Sequence, residues 1–398
     1  MTFEIEEQFV AQQILESLRQ GTVPRRYAPQ LMVGRTFWLD ALDEDMDFVA
    51  NGASKIRFLS APYGGGKSHF LSVIEQIALE KNFLVANVEL HSREAPLDRF
   101  EVIFPKIMRS LLCNSETNTL ETVFEKWLDS SQLYERHIIN RELRAISPSL
   151  DFQAALRAYI ERADSESPED DQIKQAVFGW LCGDPLSPCL RKYTQIRNKI
   201  AITNVSEIFG SFLRLVRRSG FSGVMLLLDE AEAVTSLTLS RKRDEASQNI
   251  RKLLDNVDSN EGLLIVFATT QFFLEDERRG AKSYPALWDR IRTVVRVPRN
   301  LRPNKRTLII ELQPPKKGEL KKAANLILHL HSIAYDWSAK NFLTDELLNK
   351  LIEEHFRTRS ERVYRRFLRS VVGVLDSLEQ GQDAIKADKL IENIKFED

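Results

Sequence analysis

The stretch that decides the fold is Ala61-Pro62-Tyr63-Gly64-Gly65-Gly66-Lys67-Ser68, which follows the apolar run IRFLS at 56–60 and precedes a segment with helical spacing at 68–81. A glycine-rich turn between a strand and a helix exposes backbone N–H groups to a phosphate, and the helix N-terminus adds the positive end of its dipole. A lysine placed as Lys67 is reaches the β- and γ-phosphates, and a hydroxyl placed as that of Ser68 ligates Mg²⁺. The stretch therefore predicts a phosphate-binding loop with the nucleotide-binding residues Tyr63, Gly64, Gly65, Gly66, Lys67, Ser68 and His69.

The loop departs from the usual pattern GxxxxGK[ST] at one position, because Ala61 stands where the pattern has glycine. Gly64 and Gly65 inside the loop restore the backbone freedom that close approach to a phosphate requires. The alternative interpretation is a glycine turn that happens to precede Lys-Ser. The strand and the helix on either side of the loop favour the phosphate-binding interpretation.

A second run, VMLLLDE at 224–230, has the composition of a buried strand that ends in two carboxylates. An Asp at the carboxyl edge of a sheet can hold Mg²⁺ through water, and an adjacent Glu can polarise the attacking water. Alone, such a run would often be a core strand with a charged end. Together with the Lys67 loop it predicts a site for ATP and Mg²⁺, in which Ser68 and Asp229 hold the metal and Glu230 is the catalytic base.

The rest of the chain predicts an α/β fold. Apolar runs at 83–90, 263–270 and 307–314 are continuous rather than alternating, which is typical of parallel strands buried on both faces. Residues 99–218 are mostly helical and too long for a simple crossover, so we interpret them as a helical insertion. Residues 318–380 predict about three further helices. The predicted domains are a helical entry at 1–54, a nucleotide domain with the insertion at 55–316 and a helical lid at 317–398.

Composition and charge exclude several classes of protein. The 398 residues are 43% hydrophobic and 28% charged, as in an ordinary globular protein rather than a disordered or fibrous one. The 57 acidic and 56 basic residues nearly cancel, so binding to nucleic acid or to a membrane must be local. Three cysteines without a CxxC pair favour a reducing compartment. The N-terminus does not resemble a signal peptide, and no run reaches the ~18 apolar residues of a spanning helix, so we expect a cytoplasmic protein.

The order of the motifs resembles that of AAA+ ATPases: the Lys67 loop, the strand ending in Asp229 and Glu230, and then a strand ending in Thr269 and Thr270. In that family a polar residue on this later strand senses the γ-phosphate. The resemblance implies Thr269 or Thr270 for this role, and we choose Thr270. It also implies that nucleotide binding assembles a homo-oligomer.

Three further positions take an expected role from the same resemblance. An arginine after the sensing strand reaches into the neighbouring subunit's site, which implies Arg290 in PALWDRI, with Arg278 and Arg279 as rivals. An arginine of the lid contacts the phosphates of its own chain. This implies Arg362 in RSERVYRRFL rather than Arg359. The segment that wraps the adenine is matched by Val33-Gly34-Arg35, so Gly34 and Arg35 are expected to bind the nucleotide.

A narrower resemblance covers about residues 8–378. The text ILESLRQGTVP, MVGR, FLSAPYGGGKSHFL, VELHSREAPL, MLLLDEAEAV and SERVYRRFLRSVV is similar to the ATP-binding proteins of BREX anti-phage systems. These are AAA+-like proteins related in architecture to origin-recognition ATPases. The resemblance implies an ATPase that works with other defence-system proteins. The chain ends soon after the expected lid, which argues against a full winged-helix domain.

Local basicity indicates a second kind of partner. Residues 278–306 contain ten Arg or Lys residues against one acidic residue, Asp289. Such a patch can neutralise the phosphates of double-stranded DNA without reading its sequence. The alternative is that these arginines complete a subunit interface around the nucleotide, and the basic helix Arg357–Arg369 has the same two interpretations.

Two hypotheses of different classes follow. The first is an ATPase of a bacterial defence complex acting on or near DNA, with in-line attack of water on the γ-phosphate. The second is a nucleotide-dependent switch or scaffold in which hydrolysis is slow and ATP binding organises protein partners. The intact pair Asp229 and Glu230 favours the enzyme.

Overall fold

The chain divides into two compact units. The loop unit consists of 1–39, 59–76 and 310–398, and the sheet unit consists of 40–58 and 77–309. Each unit has its own hydrophobic core. The computed structural model describes residues 8–115, 118–130, 136–255, 261–293, 303–357, 363–381 and 390–391. None of the helices in these ranges is both long enough and apolar enough to cross a membrane. The three predicted domains stay a prediction.

Six strands of the described residues form a single sheet. Their bounds are β1 Ser54–Ser60, β2 Phe83–Glu89, β3 Leu111–Leu112, β4 Gly223–Asp229, β5 Leu263–Thr269 and β6 Ile309–Glu311. The order across the sheet is β3-β2-β4-β5-β1-β6. β2 is parallel to β4, which is parallel to β5, and the two-residue β3 is antiparallel to β2. The predicted α/β class is thus confirmed, with a mostly parallel sheet and one antiparallel strand that the sequence did not reveal.

The helices of the described residues follow one another and the strands along the chain. Their bounds are α1 Gln8–Arg19, α2 Ala28–Leu31, α3 Thr36–Ala50, α4 Lys67–Glu80, α5 Phe100–Ser110, α6 Thr119–Ser130, α7 Arg136–Ile146, α8 Leu150–Ile160, α9 Pro168–Leu181, α10 Pro188–Tyr193, α11 Val205–Arg218, α12 Ser240–Asp255, α13 Gln271–Glu275, α14 Pro285–Ile291, α15 Lys317–Tyr335, α16 Ala339–Phe342, α17 Asp345–Arg357 and α18 Val363–Glu379.

The continuous apolar runs became strands because their residues are buried on both faces. Every residue of β5 is buried, as is every residue of β4 except Asp229 at its end. The run predicted at 307–314 is shorter as a strand, but hydrogen bonds flank it: Phe58 N donates to Leu308 O at 2.8 Å, and Leu312 N donates to Ser60 O at 2.9 Å. β1 therefore lies between β5 and β6, and the phosphate loop leaves the sheet from an interior strand.

The seven helices between β2 and β4, α5 to α11, extend the core of the sheet unit. The ring of Phe124 lies at their centre. Its centroid is 4.8 Å from that of Tyr159 and 5.3 Å from that of Phe178, both in edge-on or T-shaped arrangements that aromatic pairs favour. Trp127 is fully buried in the same cluster. The helices predicted for 99–218 are therefore present in the described residues and pack around an aromatic cluster.

The core of the loop unit consists of residues from the N-terminal and C-terminal parts of the chain. The described part of the predicted N-terminal helix, α1, packs its apolar face against α15 and α18. The buried residues that meet there include Ala11, Ile14, Leu15, Leu18, Leu320, Ile327, Phe367, Val371 and Leu375. The entry helix is thus part of the same core as the predicted lid helices.

A polar network joins the same three helices. Arg19 donates two hydrogen bonds to the Asp376 carboxylate, at 2.9 and 2.7 Å, and His331 Nε2 lies 3.0 Å from the same group. Trp337 Nε1 donates to His331 Nδ1 at 2.8 Å, so Nδ1 is an acceptor and the ring donates from Nε2 to the carboxylate. Burial alone would raise the pKa of Asp376, but the bonds from Arg19 and His331 outweigh it and lower that pKa to about 2. The network fixes α1 on the C-terminal helices.

An ion cluster is buried at the start of the sheet unit. Arg57 on β1 and Asp45 on α3 are each 1% exposed, and the Arg57 guanidinium donates to both Asp45 oxygens, at 2.5 and 2.9 Å. Arg57 also donates to the carbonyls of Lys305 and Thr307. Lys55 is paired with the same carboxylate. The strand that precedes the phosphate loop is therefore held to α3 and to the segment before β6.

We expect Asp45→Ala to destabilise the protein by about 3–5 kcal/mol, because it leaves the buried Arg57 charge without its carboxylate. The midpoint of urea unfolding measures this loss. Asp47→Ala is the matched control on the same helix, since Asp47 is 66% exposed and shares Lys81 with Asp43. That change should cost no more than about 0.5 kcal/mol. Equal losses in the two variants would show that the buried cluster does not stabilise the fold.

Candidate functional site

The phosphate loop has the backbone that its glycines allow. Gly64 and Gly66 have φ of +74° and +85°, values that residues with a side chain rarely adopt. A Cβ on Gly65 would lie 2.9 Å from the Pro62 carbonyl oxygen, to which the Gly65 N–H donates. The three consecutive glycines are thus each required by the turn. Ala61, which replaces the first glycine of the pattern, does not have a positive φ, so its side chain is compatible with the backbone there.

Lys67 and Ser68 lie in the first turn of α4. Lys67 is the first residue of the helix and its side chain is buried, while Tyr63 in the loop is 53% exposed. Phe70 N donates to Gly66 O at 3.0 Å, which extends the helical bonding back into the loop. The N–H groups at the start of a helix have no intrahelical acceptor and can bind an anion. The assignment of these residues to nucleotide binding stays a prediction.

Arg35 holds two carbonyl groups of the loop. Its Nη2 donates to Gly65 O at 2.5 Å and its Nη1 to Gly66 O at 3.2 Å. In a trans peptide the C=O and the following N–H point in opposite directions. Because both carbonyls face Arg35, the N–H groups of Gly66 and Lys67 face away from it. The arginine thereby favours a loop that presents donors rather than acceptors to a phosphate.

The backbone at Arg35 is specialised for this contact. Gly34 and Arg35 have φ of +70° and +61°, so both are left-handed. A Cβ on Gly34 would lie 2.2 Å from Glu319 Oε1, so the Glu319 carboxylate packs directly on this glycine. Burial lowers the pKa of Arg35, and the nearby Tyr364 and Glu319 oppose that effect. The sequence predicted that Gly34 and Arg35 bind nucleotide. The contact of Arg35 with the loop is a feature that the sequence did not reveal.

His69 is packed inside the loop unit. The ring is 7% exposed, its Nε2 lies 2.8 Å from Ala28 O, and its plane is within 4° of that of Tyr364 at 6.5 Å between centroids. The Tyr364 hydroxyl in turn donates to Leu31 O at 3.4 Å. Burial lowers the pKa of His69 to about 4, opposed by the bond to Ala28 and assisted by the charge of Arg35. His69 thus joins α4 to α2 and α18, and its predicted contact with nucleotide stays a prediction.

The carboxylates of the second motif lie at the carboxyl end of β4 in the sheet unit. Asp229 is the last residue of the strand, and its backbone carbonyl accepts from Leu90 N at 2.9 Å. Glu230 has φ 58° and ψ 38°, a left-handed conformation that is costly for a residue with a side chain. The Glu230 N–H donates to Asp229 Oδ1 at 2.9 Å, and a 3₁₀ helix follows at Ala231–Ser236. The predicted strand residue Glu230 therefore leaves the strand direction.

The structure distinguishes the two threonines after β5. Thr270 caps α13, accepting a hydrogen bond from Phe273 N at 3.4 Å. Thr269 is fully buried at the end of β5, and its hydroxyl has no hydrogen-bond partner among the described residues. A buried hydroxyl without a partner is costly and is often completed by a ligand or water. Thr270 was the predicted sensing residue, but the open hydroxyl belongs to Thr269.

The arginines to which the sequence gave a role in nucleotide contact differ in their partners. Arg290 on α14 forms an ion pair with Asp255 on α12 at 2.9 Å, and its side chain is 46% exposed. The backbone N–H groups of Arg278 and Arg279 donate to Asp276 Oδ1. Arg362 lies outside the described residues.

Most described basic side chains of 278–306 have partners. Arg292 pairs with Asp289, and Lys305 pairs with Glu44 and Asp40. Lys282 lies over the ring of Trp288 at 5.4 Å. The residues 294–302 lie outside the described ranges. Acidic residues outside the interval thus neutralise part of the basicity that the sequence shows.

The metal ligands of the prediction are of a suitable type. A hydroxyl and a carboxylate are the oxygen donors that Mg²⁺ prefers. No group of three or more His, Cys, Asp or Glu side chains within the described residues could hold a metal by itself. The magnesium site with Ser68 and Asp229 therefore stays a prediction.

A glycine-rich phosphate loop between β1 and α4, leaving a mostly parallel sheet, is consistent with a P-loop nucleotide-binding protein. The chain belongs to the family of the BREX system ATP-binding protein BrxC/D, whose family model matches residues 7–394. No curated protein matches it. The family gives ATP as the ligand and places the protein in BREX defence systems, as the sequence predicted. Hydrolysis and action on DNA lie beyond this finding.

We expect Arg35→Ala to weaken ATP binding about 10–100-fold, because the loop loses two charge-assisted hydrogen bonds that orient its peptides. Arg35→Lys keeps the charge but lacks the planar fork that reaches two carbonyls, so it should restore only part of the affinity. Titration calorimetry with ATP and Mg²⁺ measures both. Arg26→Ala, which removes an exposed arginine of the same unit, is the control. Wild-type affinity in Arg35→Ala would contradict the proposed hold on the loop.

We expect His69 to make stability depend on pH. The unfolded chain protonates this histidine near its ordinary pKa of 6.5, whereas the folded protein keeps it neutral down to about pH 4. The unfolded state thus binds more protons in this window, and stability falls as pH falls from 6.5 to 4, by about 3 kcal/mol for this group. His69→Gln keeps a donor for Ala28 O and should lose correspondingly less stability. His329→Gln, which removes an exposed histidine, should behave as wild type in urea unfolding at pH 7 and pH 4.

Proposed function

We propose that the protein is a Mg²⁺-dependent ATPase of a bacterial BREX defence complex and acts on or near DNA. The observation that supports hydrolysis beyond binding is the left-handed Glu230, directly after Asp229 at the end of β4. Strained conformations of this kind occur preferentially where function requires them.

The residues divide the expected chemistry among themselves. In the proposed reaction the loop N–H groups and Lys67 bind the phosphates, and Arg35 keeps those N–H groups oriented. Ser68 and Asp229 would hold Mg²⁺, which neutralises charge that develops on the phosphates. Glu230 orients the attacking water and accepts its proton. Thr269 rather than Thr270 is the better candidate to contact this water or the γ-phosphate, because its buried hydroxyl has no described partner.

A second candidate function is a nucleotide-dependent switch or scaffold with slow hydrolysis. The observation that favours it is the ion pair between Arg290 and Asp255 of the same chain. An arginine that acts in a neighbouring subunit must leave such a pair before it can stabilise the transition state. Turnover would then wait for assembly of a homo-oligomer or for another protein of the defence system.

The remaining expected roles are part of the proposal. Arg362, outside the described residues, would contact the phosphates from the lid, and Gly34 and Arg35 would border the adenine. Other defence-system proteins are the expected partners, in keeping with the family. Double-stranded DNA is the expected nucleic acid, and the sequence suggested 278–306 as its contact.

We expect Glu230→Gln to bind ATP as wild type does and to hydrolyse it at least about 100-fold more slowly, because the amide cannot accept the proton of water. Thr269→Val should lower turnover more than Thr270→Val. Steady-state phosphate release, with and without duplex DNA at low and high salt, measures these rates.

Glu277→Gln, which changes an exposed glutamate of the sheet unit, is the control and should turn over as wild type. If wild type and Glu230→Gln both bind ATP and neither releases phosphate under any condition, the switch replaces the ATPase. Equal turnover in wild type and Glu230→Gln would remove Glu230 from the mechanism.

A further inference from the structure

The loop unit carries a group of exposed arginines that no step of the proposed hydrolysis uses. Arg365 and Arg369 lie one turn apart on α18, and both are exposed. Their aliphatic stems pack over Gly21, where a Cβ would lie 3.2 Å from Arg365 Cδ and 3.4 Å from Arg369 Cδ. Gly21 has φ of +77°, a backbone conformation that glycine adopts without strain. Glycine also leaves room for the two arginine side chains over the turn after α1.

The two guanidinium groups have no ion-pair partner among the described residues. Two like charges four residues apart on a helix repel each other, so a fold that placed them only for stability would supply an acid. The described acids of α18 are Asp376 and Glu379. Asp376 is already held by Arg19 and His331, as shown above. The positive charge of Arg365 and Arg369 is therefore left for something outside the unit.

The segment that follows Gly21 adds two more exposed arginines. Arg25 is 60% exposed and pairs with the buried Glu75 at 3.8 Å. Arg26 is exposed, with its guanidinium 5.9 Å from the centre of the Tyr27 ring. Together with the pair on α18 they form the arginine surface: Arg25, Arg26, Arg365 and Arg369.

The chemistry of this surface fits phosphate rather than protein. Stable protein interfaces are centred on large apolar or aromatic side chains, with charge at the rim. None of the large hydrophobic residues that are exposed in the described ranges lies within 20–27 or 364–370. Guanidinium groups bind phosphate oxygens bidentately, and Arg365 and Arg369 rise about 6 Å relative to each other along the helix. Such spacing lets the two side chains contact different phosphates of one nucleic acid.

We propose that the arginine surface binds the phosphate backbone of duplex DNA, and that it does so in place of the basic interval 278–306. Of the seven described basic residues of that interval, three are paired with acids: Arg290 with Asp255, Arg292 with Asp289, and Lys305 with Glu44 and Asp40. This inference rests on the proposed action on DNA but not on hydrolysis. Binding is sequence-independent and depends steeply on salt, because each phosphate contact releases counterions.

The test compares two double variants that each remove two positive charges. Arg365→Gln/Arg369→Gln changes the arginine surface, and Arg278→Gln/Arg306→Gln changes two of the exposed, described basic residues of 278–306 for which no ion pair is seen. Fluorescence anisotropy of two labelled duplexes of unrelated sequence is followed from 50 to 200 mM salt, with the full-length protein. Saturating ATP and Glu230→Gln are used in a parallel set, so that neither result depends on turnover.

The first double variant should weaken binding to both duplexes equally and should reduce the slope of log K against log salt by about 2. The second should retain the wild-type slope. The reverse pattern, or unchanged binding in the first variant, overturns the proposal.

A parallel titration with labelled poly-glutamate tests the other class of partner. If the first variant loses poly-glutamate binding while DNA binding is unchanged, the surface is a docking site for an acidic protein. If the wild-type protein does not hydrolyse ATP but the first variant still reduces the salt slope, only the proposed reaction is overturned and the arginine surface stands.

Discussion

The phosphate loop depends on one constraint, which is that its peptides must present N–H groups and keep their carbonyl oxygens away from an anion. Three consecutive glycines make the turn possible, but they do not by themselves select its orientation. The two hydrogen bonds from Arg35 to the carbonyls of Gly65 and Gly66 make that selection. Arg35 in turn depends on a left-handed backbone and on Glu319 beside Gly34. Residues about 30 and about 250 positions away thus hold the loop in the conformation that phosphate binding requires.

The helix that follows the loop also contacts segments from both ends of the chain. His69, two residues after Lys67, packs on Ala28 and Tyr364, so the first turn of α4 is attached to segments from the N-terminal and C-terminal parts of the loop unit. The network of Arg19, Asp376 and His331 also joins the N-terminal and C-terminal segments of the unit. A change at α18 therefore reaches the helix of the phosphate loop through one ring stack. Such contiguous packing is the physical means by which nucleotide can be coupled to distant surfaces.

The distribution of charge shows how the tertiary structure changes a conclusion drawn from counting. The interval 278–306 is the most basic stretch of the sequence, yet several of its arginines and lysines meet carboxylates from α3, α12 and α14. Arg365 and Arg369 are fewer but keep their charge exposed. A paired surface charge contributes little field at a distance, whereas an unpaired one attracts counterions and phosphates.

The sequence by itself determined the features that depend on neighbours along the chain. Continuous apolar runs specified the strands, helical spacing specified the helices, and the glycines before Lys67 specified a loop. The order of that loop and the Asp229-Glu230 pair also indicated the family, which the family model confirms.

Only the tertiary structure decided which partner each polar side chain meets. In the folded protein Arg35 donates to the loop carbonyls, and His69 is packed inside the loop unit. The Thr270 hydroxyl caps α13, whereas the Thr269 hydroxyl has no described hydrogen-bond partner. The short β3 and the αL conformation of Glu230 belong to the same category. Local patterns carry no record of residues that are distant in the chain, and the free energy of a buried polar group depends on the partner that folding brings to it.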